Sequence, residues 1–175
     1  LHFDKTKYNF VSIVTKLFNK ELSQLHTLMD DYIWKGENTL GMDSHTKLHR
    51  LFYDKLDNGW SDLKDLYENF AKEVILPYLG LNEALLQIFP NFRIQFPENK
   101  AITTPHFDSD NLHHHPYGEI NFIIALTNMY DTNTIWVEKM PRLEEYLPIE
   151  LKCGECMCFN GNLCSHYNKI NKTGK

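Results

Sequence analysis

The sequence predicts an α+β fold, in which a mainly helical first half packs on one sheet of an antiparallel barrel or jelly roll. Three observations carry that expectation. Apolar residues recur at helical spacing through residues 1–82. From about residue 84 the pattern changes to short β-branched and aromatic runs, cut by Pro, Gly, Asn and Asp clusters. No internal repeat, linker or low-complexity stretch divides the 175 residues. Helices followed by many short strands suggest one domain over 1–175, with helical support at 1–82 and a β core at 83–175.

The first helix is predicted over residues 8 to 34, where Phe10, Ile13, Val14, Leu17, Phe18, Leu22, Leu25 and Met29 form one apolar stripe. Gly36 to Gly41 breaks it, and a second helix follows around Leu48 to Leu56. Ser61 offers an N-cap hydroxyl to a third, whose buried stripe is Leu63, Leu66, Tyr67, Phe70, Val74 and Ile75 and whose end is set by Pro77 and Gly80. Strands are expected at Phe92 to Phe96, Ile102 to His106, Glu119 to Thr127, Thr134 to Glu138, Glu150 to Lys152, Cys156 to Phe159 and Leu163 to Tyr167.

Composition narrows the function classes. With 42% hydrophobic and 23% charged residues the chain reads as an ordinary globular domain. A chain of this size buries roughly 70% of the surface its unfolded form exposes, so a metal here points to function rather than to stapling. The net charge of −5 and the lack of a long basic run argue against nucleic acid or an anionic membrane as partner. No apolar stretch is long enough to span a bilayer, and no secretory signal pattern opens the chain, so a cytoplasmic location is expected.

The chemistry concentrates in Thr104-Pro105-His106-Phe107-Asp108. Alternate residues of a strand share a face, so His106 and Asp108 can take adjacent positions on one metal ion. His166, from a later strand, supplies a third ligand. Two imidazoles and a carboxylate on one face of an octahedral ion leave the other face open, as in non-haem iron(II) oxygenases. An HxD tripeptide alone is a weak signal. It gains weight from the order of elements after it: a polar loop, a long apolar strand, a Gly-Glu turn, an apolar strand ending in Phe159, then His166.

On these segments the chain resembles the phytanoyl-CoA-hydroxylase-like branch of the Fe(II)/2-oxoglutarate-dependent dioxygenases, and more narrowly the StrG-like group associated with streptomycin and other aminoglycoside biosynthesis. The matching residues are His106-Phe107-Asp108, Gly118 to Phe122, Leu126-Thr127, Asn133 to Glu138, and Gly154 to Asn162 leading to His166. They cover about residues 92 to 175; the helical half matches only in general character. The resemblance implies a double-stranded β-helix, the cupin-like jelly roll, with iron(II) held by His106, Asp108 and His166. It implies 2-oxoglutarate as co-substrate, dioxygen as oxidant, and hydroxylation of a small polar molecule with release of succinate and CO2. Related halogenases replace the carboxylate ligand with a small residue, so Asp108 implies oxygen transfer.

The resemblance also places an arginine, the anchor of the far carboxylate of 2-oxoglutarate, about ten residues beyond the second histidine, just past Lys175 and on a last strand that the sequence does not contain. Arg93 is the substitute cation within the sequence, because alternation sets Arg93 and Gln95 opposite Phe92, Ile94 and Phe96; plain solvent exposure is the equal alternative. Asn121 shares a face with Glu119 and is a candidate to hydrogen-bond 2-oxoglutarate or, equally, a satisfied structural amide. Trp136 and Glu138 read as packing and a surface charge.

His113, His114 and His115 read as a solvated active-site rim, with one able to contact substrate or act behind the ligands. His2, His26, His45 and His49 read as surface residues. Cys153, Cys156, Cys158 and Cys164 keep open a zinc-binding module, and loss of catalysis would leave a jelly-roll scaffold. Homodimerisation is also open.

Overall fold

The computed structural model describes residues 1–28, 46–98 and 104–174. The expected end of the first helix, the Gly36 to Gly41 break, His45 and the start of the strand expected at Ile102 lie outside the described residues.

Helix α1 spans Phe10–Phe18 and begins where Asn9 Oδ1 accepts the Ser12 N–H at 2.9 Å, satisfying a first-turn donor. It stops at Asn19, which is left-handed at φ 48°. The apolar stripe continues in tighter form as a 3-10 helix, Leu22–Leu28, that buries Leu22 and Leu25. Helix α2 is Lys47–Asp57, capped by Thr46, whose hydroxyl accepts the His49 N–H at 3.3 Å.

His49 corrects the expectation of a surface residue: it is 1% exposed. Its Nδ1 meets Thr46 Oγ1 at 2.8 Å and its Nε2 accepts the Ile94 N–H at 3.2 Å, so a core imidazole pins residues 92–96 to the helices.

Helix α3, Ser61–Phe70, is not capped by the Ser61 hydroxyl, because Trp60 holds the cap position and makes no side-chain bond there. Nor does Pro77 end the helix. A π-helical stretch, Ala71–Ile75, leads into α4, Leu76–Leu79, and the turn finishes at Gly80 with φ 67°. Proline has no N–H for the carbonyl four residues back, and the wider turn, in which Leu76 N–H reaches Ala71, accommodates the ring.

Among the described residues five short strands follow: β1 Asn121–Ile124, β2 Ile135–Glu138, β3 Tyr146–Pro148, β4 Cys156–Phe159 and β5 His166–Asn168. β1 pairs with β4, and β3, β2 and β5 form a second sheet in that order, all antiparallel. The strand expected at Glu119 to Thr127 is thus cut to its centre, and the one at Leu163 to Tyr167 shifts to begin at His166. Glu150 to Lys152 reduces to a single bridge between Leu151 and Met129. Phe92 to Phe96 joins no ladder; Gln95 Nε2 instead donates to the Thr132 and Lys169 carbonyls at 3.0 and 2.6 Å. β3 escaped the sequence reading because Pro148 interrupts its period.

The core lies between the helices and the β1–β4 sheet, where Cys156, Phe122 and Ile124 pack on the helical cluster. Its centre is aromatic. Phe52 stacks on Phe92 with centroids 4.2 Å apart, and Phe70 meets Phe3, Tyr8 and Phe10 edge-on. Tyr8 and Lys7 both bond the Glu73 carboxylate, tying the N-terminal segment to the π turn. No helix among the described residues is long and apolar enough to cross a membrane.

Candidate metal centre

Backbone pairing assembles the candidate ligands. His106 and His166 face each other across an antiparallel bridge, exchanging N–H···O bonds of 3.2 and 3.0 Å. The chain then turns so that Asp108 N–H reaches the Gly161 carbonyl at 3.0 Å, in the loop that leads to β5. His106, Asp108 and His166 each present a ligand atom within 4.8 Å of the others. His166 Nε2 lies 3.4 Å from Asp108 Oδ1. Neighbouring ligands on an octahedral ion with bonds of about 2.1 Å stand about 3 Å apart, so the spacing suits one ion.

Both imidazoles are oriented from behind. His106 Nδ1 lies 2.9 Å from the Thr104 carbonyl and His166 Nδ1 3.3 Å from that of Cys164. A carbonyl only accepts, so Nδ1 is the donor in both contacts and Nε2 is the ring nitrogen turned toward the site, the orientation that suits a histidine to a metal. Burial lowers the His106 pKa against the pull of the Thr104 carbonyl, which keeps the ring neutral at neutral pH. His106 also stacks on His113 at 4.1 Å, and His166 meets the Phe159 ring at 5.1 Å.

Asp108 is 5% exposed, and its Oδ2 is buried without a hydrogen-bond partner. Burial pushes its carboxyl up, but His166, then Asn121 and His115, pull it below the usual carboxylate range. An ionised oxygen sealed from water without a donor is costly, and a cation beside it removes that cost. No lysine or arginine occurs between Thr104 and Thr127 or between Gly154 and Asn168, so the segments that build the site bring no cation of their own. The donor set and the unsatisfied oxygen fit a divalent metal.

Gly161 is the residue that lets Asp108 sit there. A Cβ at this position would stand 1.8 Å from Asp108 Oδ2. Asn121 opens β1, and its Oδ1 accepts the Gly161 N–H at 3.2 Å. The structure thus places Asn121 beside the candidate ligands as a support for Gly161. Arg93 is exposed, its Nη1 donates to the Phe92 carbonyl at 3.4 Å, and no hydrogen bond or ion pair joins it to the three ligands among the described residues.

Three further features go beyond what the sequence indicated. His115 and Glu119 sit against Asp108 as a second group of potential ligands, with His115 Nδ1 3.0 Å from Glu119 Oε1. The rim expected at 113–115 is therefore partly built in: His113 bonds Asp110 Oδ1 at 2.8 Å, and only His114 is exposed. Glu138, expected as a surface charge, is 4% exposed. Burial opposes its charge, but the N–H groups of Glu144 and Ser165, at 2.8 and 2.9 Å, hold its pKa below the usual glutamate value. The i, i+4 spacing of His115 and Glu119 and the Asn-Gly-Asn run at 160–162 were the signals available. The four cysteines are free thiols, and none joins a metal-capable group among the described residues.

Against known proteins, no family model matches the chain and no solved structure matches it. Over 133 residues it is 30% identical to the streptomycin biosynthesis protein StrG of Streptomyces griseus, an alignment that takes in 75% of this chain and 58% of StrG. The chain thus spans little more than half the length of that curated relative.

Proposed function

We propose that the chain is a non-haem iron(II), 2-oxoglutarate-dependent oxygenase of the hydroxylating type, built on a jelly-roll scaffold and acting on a small polar metabolite. The observation that carries this is the triad itself: two imidazoles whose Nδ1 atoms face backbone carbonyls, and one buried carboxylate with an unsatisfied oxygen, bring their ligand atoms within 4.8 Å of one another. His106, Asp108 and His166 would hold the ion. When bound, iron(II) supplies the chemistry by which 2-oxoglutarate, dioxygen and a substrate C–H bond become succinate, CO2 and a C–OH group.

The protein's own groups prepare that site. The carbonyls of Thr104 and Cys164 engage Nδ1 of the two histidines and orient the rings. Asn121 and Gly161 set the carboxylate, and burial of Asp108 and His166 keeps water from one side of the ion. Asp108 fills the carboxylate position, which favours oxygen transfer over halogenation. Similarity to a streptomycin biosynthesis protein agrees with a small polar substrate.

The test is succinate formation from 2-oxoglutarate by the iron(II)-loaded protein, measured by NMR with a panel of polyols, sugars and amino sugars. Turnover that is stimulated by a panel member and lost in His106→Ala is expected. Equal rates in the protein and the variant would overturn the proposal.

A further inference from the structure

Asp108 is enclosed by a closed circuit of contacts that runs through residues outside the triad. Its N–H donates to the Gly161 carbonyl at 3.0 Å, and its own carbonyl accepts the His115 N–H at 2.9 Å. The His115 ring bonds Glu119 at 3.0 Å. The Glu119 carbonyl, with those of Pro116 and Tyr117, faces Asn162 Nδ2 at 3.2, 3.0 and 3.1 Å, and Asn162 follows Gly161 in the chain. The circuit therefore returns to its start. It joins the turn after the HxD motif to the loop before His166, the two segments whose relative position defines the site.

We infer that His115 and Glu119 are positioning residues, a clasp that sets the Asp108 carboxylate for the metal, with Asn162 locking the turn that carries them. The inference rests on the metal reading of the triad. The ligand atoms of His115 and Glu119 and the Asp108 carboxylate fall within 4.8 Å of one another. A second cation at this group is the competing arrangement. The clasp is favoured because Glu119 Oε1 is already engaged by His115 Nδ1, and because Asn162 holds the turn carbonyls of Pro116, Tyr117 and Glu119 without help from an ion. Carboxylate partners behind a ligand shell raise metal affinity by about 10- to 100-fold.

Mn2+ binding by calorimetry on the protein, His115→Ala, Glu119→Ala, Glu119→Gln and His166→Ala separates the outcomes, with thermal unfolding of each metal-free protein as a check on folding. The clasp predicts one Mn2+ per chain, with Kd raised about 10- to 100-fold in His115→Ala and Glu119→Ala. It predicts recovery of most of that loss in Glu119→Gln, whose amide oxygen still accepts from His115. Should a variant fail to fold, Asn162→Ala tests the same circuit from its other side and is expected to weaken Mn2+ in the same direction. Unchanged Kd values overturn the clasp. Two Mn2+ per chain, falling to one in Glu119→Ala, would instead establish a second ion at this group. If the protein binds no Mn2+, or His166→Ala binds it as well as the protein does, the triad reading itself falls and the clasp with it.

Discussion

The two halves of the molecule are held together by different physics. The helical half is ordered by apolar burial: Phe18, Phe52, Trp60 and Phe70 are each under 10% exposed and each meets another ring, with Phe92 of the following segment stacked on Phe18 and Phe52 and Phe70 set among Phe3, Tyr8 and Phe10. The β half has strands of only three or four residues. Around the triad, side chains do what ladders do elsewhere: Asn121, Glu138, Asn162 and Gln95 each satisfy backbone groups of distant segments. Burial is tolerant of modest changes in shape, whereas a polar circuit depends on every member. Substitutions in the first region should therefore lower stability with the site intact, and those in the second should damage the site with little loss of the helical core.

Gly161→Ala should give the largest contrast. The added methyl would stand 1.8 Å from Asp108 Oδ2, so the carboxylate or the loop must move. Metal affinity is expected to fall by about 100-fold or more, the upper end for support of a ligand, while far-UV circular dichroism keeps its helical signal. Preserved affinity would show that Asp108 is not held where the metal account needs it.

Phe52→Ala is the reverse experiment. It removes a ring stacked on Phe92 and edge-on to Trp60, at a cost of about 3–5 kcal/mol in urea unfolding. Metal bound per folded molecule should not change, and a parallel loss of metal would break the separation of the two regions.

These contrasts explain what was legible in the sequence. Phe10, Val14 and Phe18, or Leu63 and Phe70, announce helices because burial imposes a period on the sequence, and Cys156–Phe159 was legible as a strand for the same reason. The proximity of His106, Asp108 and His166 was legible because they follow a recurrent order, and the structure brings them together as a group able to hold a metal. His49 was missed because a buried imidazole satisfied by Thr46 and Ile94 looks, in sequence, like any polar residue on a helix. Glu138, His115 and Glu119 were undervalued for a related reason: their partners are backbone groups or loop residues that only the fold brings near. The π turn at Ala71–Ile75 hid because Pro77 normally marks a helix end.

His49→Leu sharpens the comparison from inside the helical half, since it leaves the Ile94 N–H buried without its acceptor. The expected loss is about 1–3 kcal/mol, read from the urea midpoint, and a neutral result would mean that the His49 bond does not help to hold residues 92–96.

The smallest effect concerns pH. Glu138 is held below the ordinary glutamate pKa in the folded protein, so its ionised form contributes stability above the unfolded value. That contribution is lost as pH falls through the lower, folded value. The urea midpoints of the protein and Glu138→Gln should differ by a constant amount above about pH 5, and the gap should narrow as pH falls through the lower, folded value. A gap that does not change with pH would mean that the carboxylate charge is not what holds the Ser165 and Glu144 N–H groups.

Cobalt(II) titration followed by visible absorption tests the central claim most directly, because the spectrum reports both the number and the type of ligands. The account predicts one Co2+ per chain with the weak bands of a six-coordinate nitrogen and oxygen site, altered by added 2-oxoglutarate and abolished in His166→Ala. No binding, or an intense sulfur-to-cobalt band that survives in His166→Ala, would contradict it.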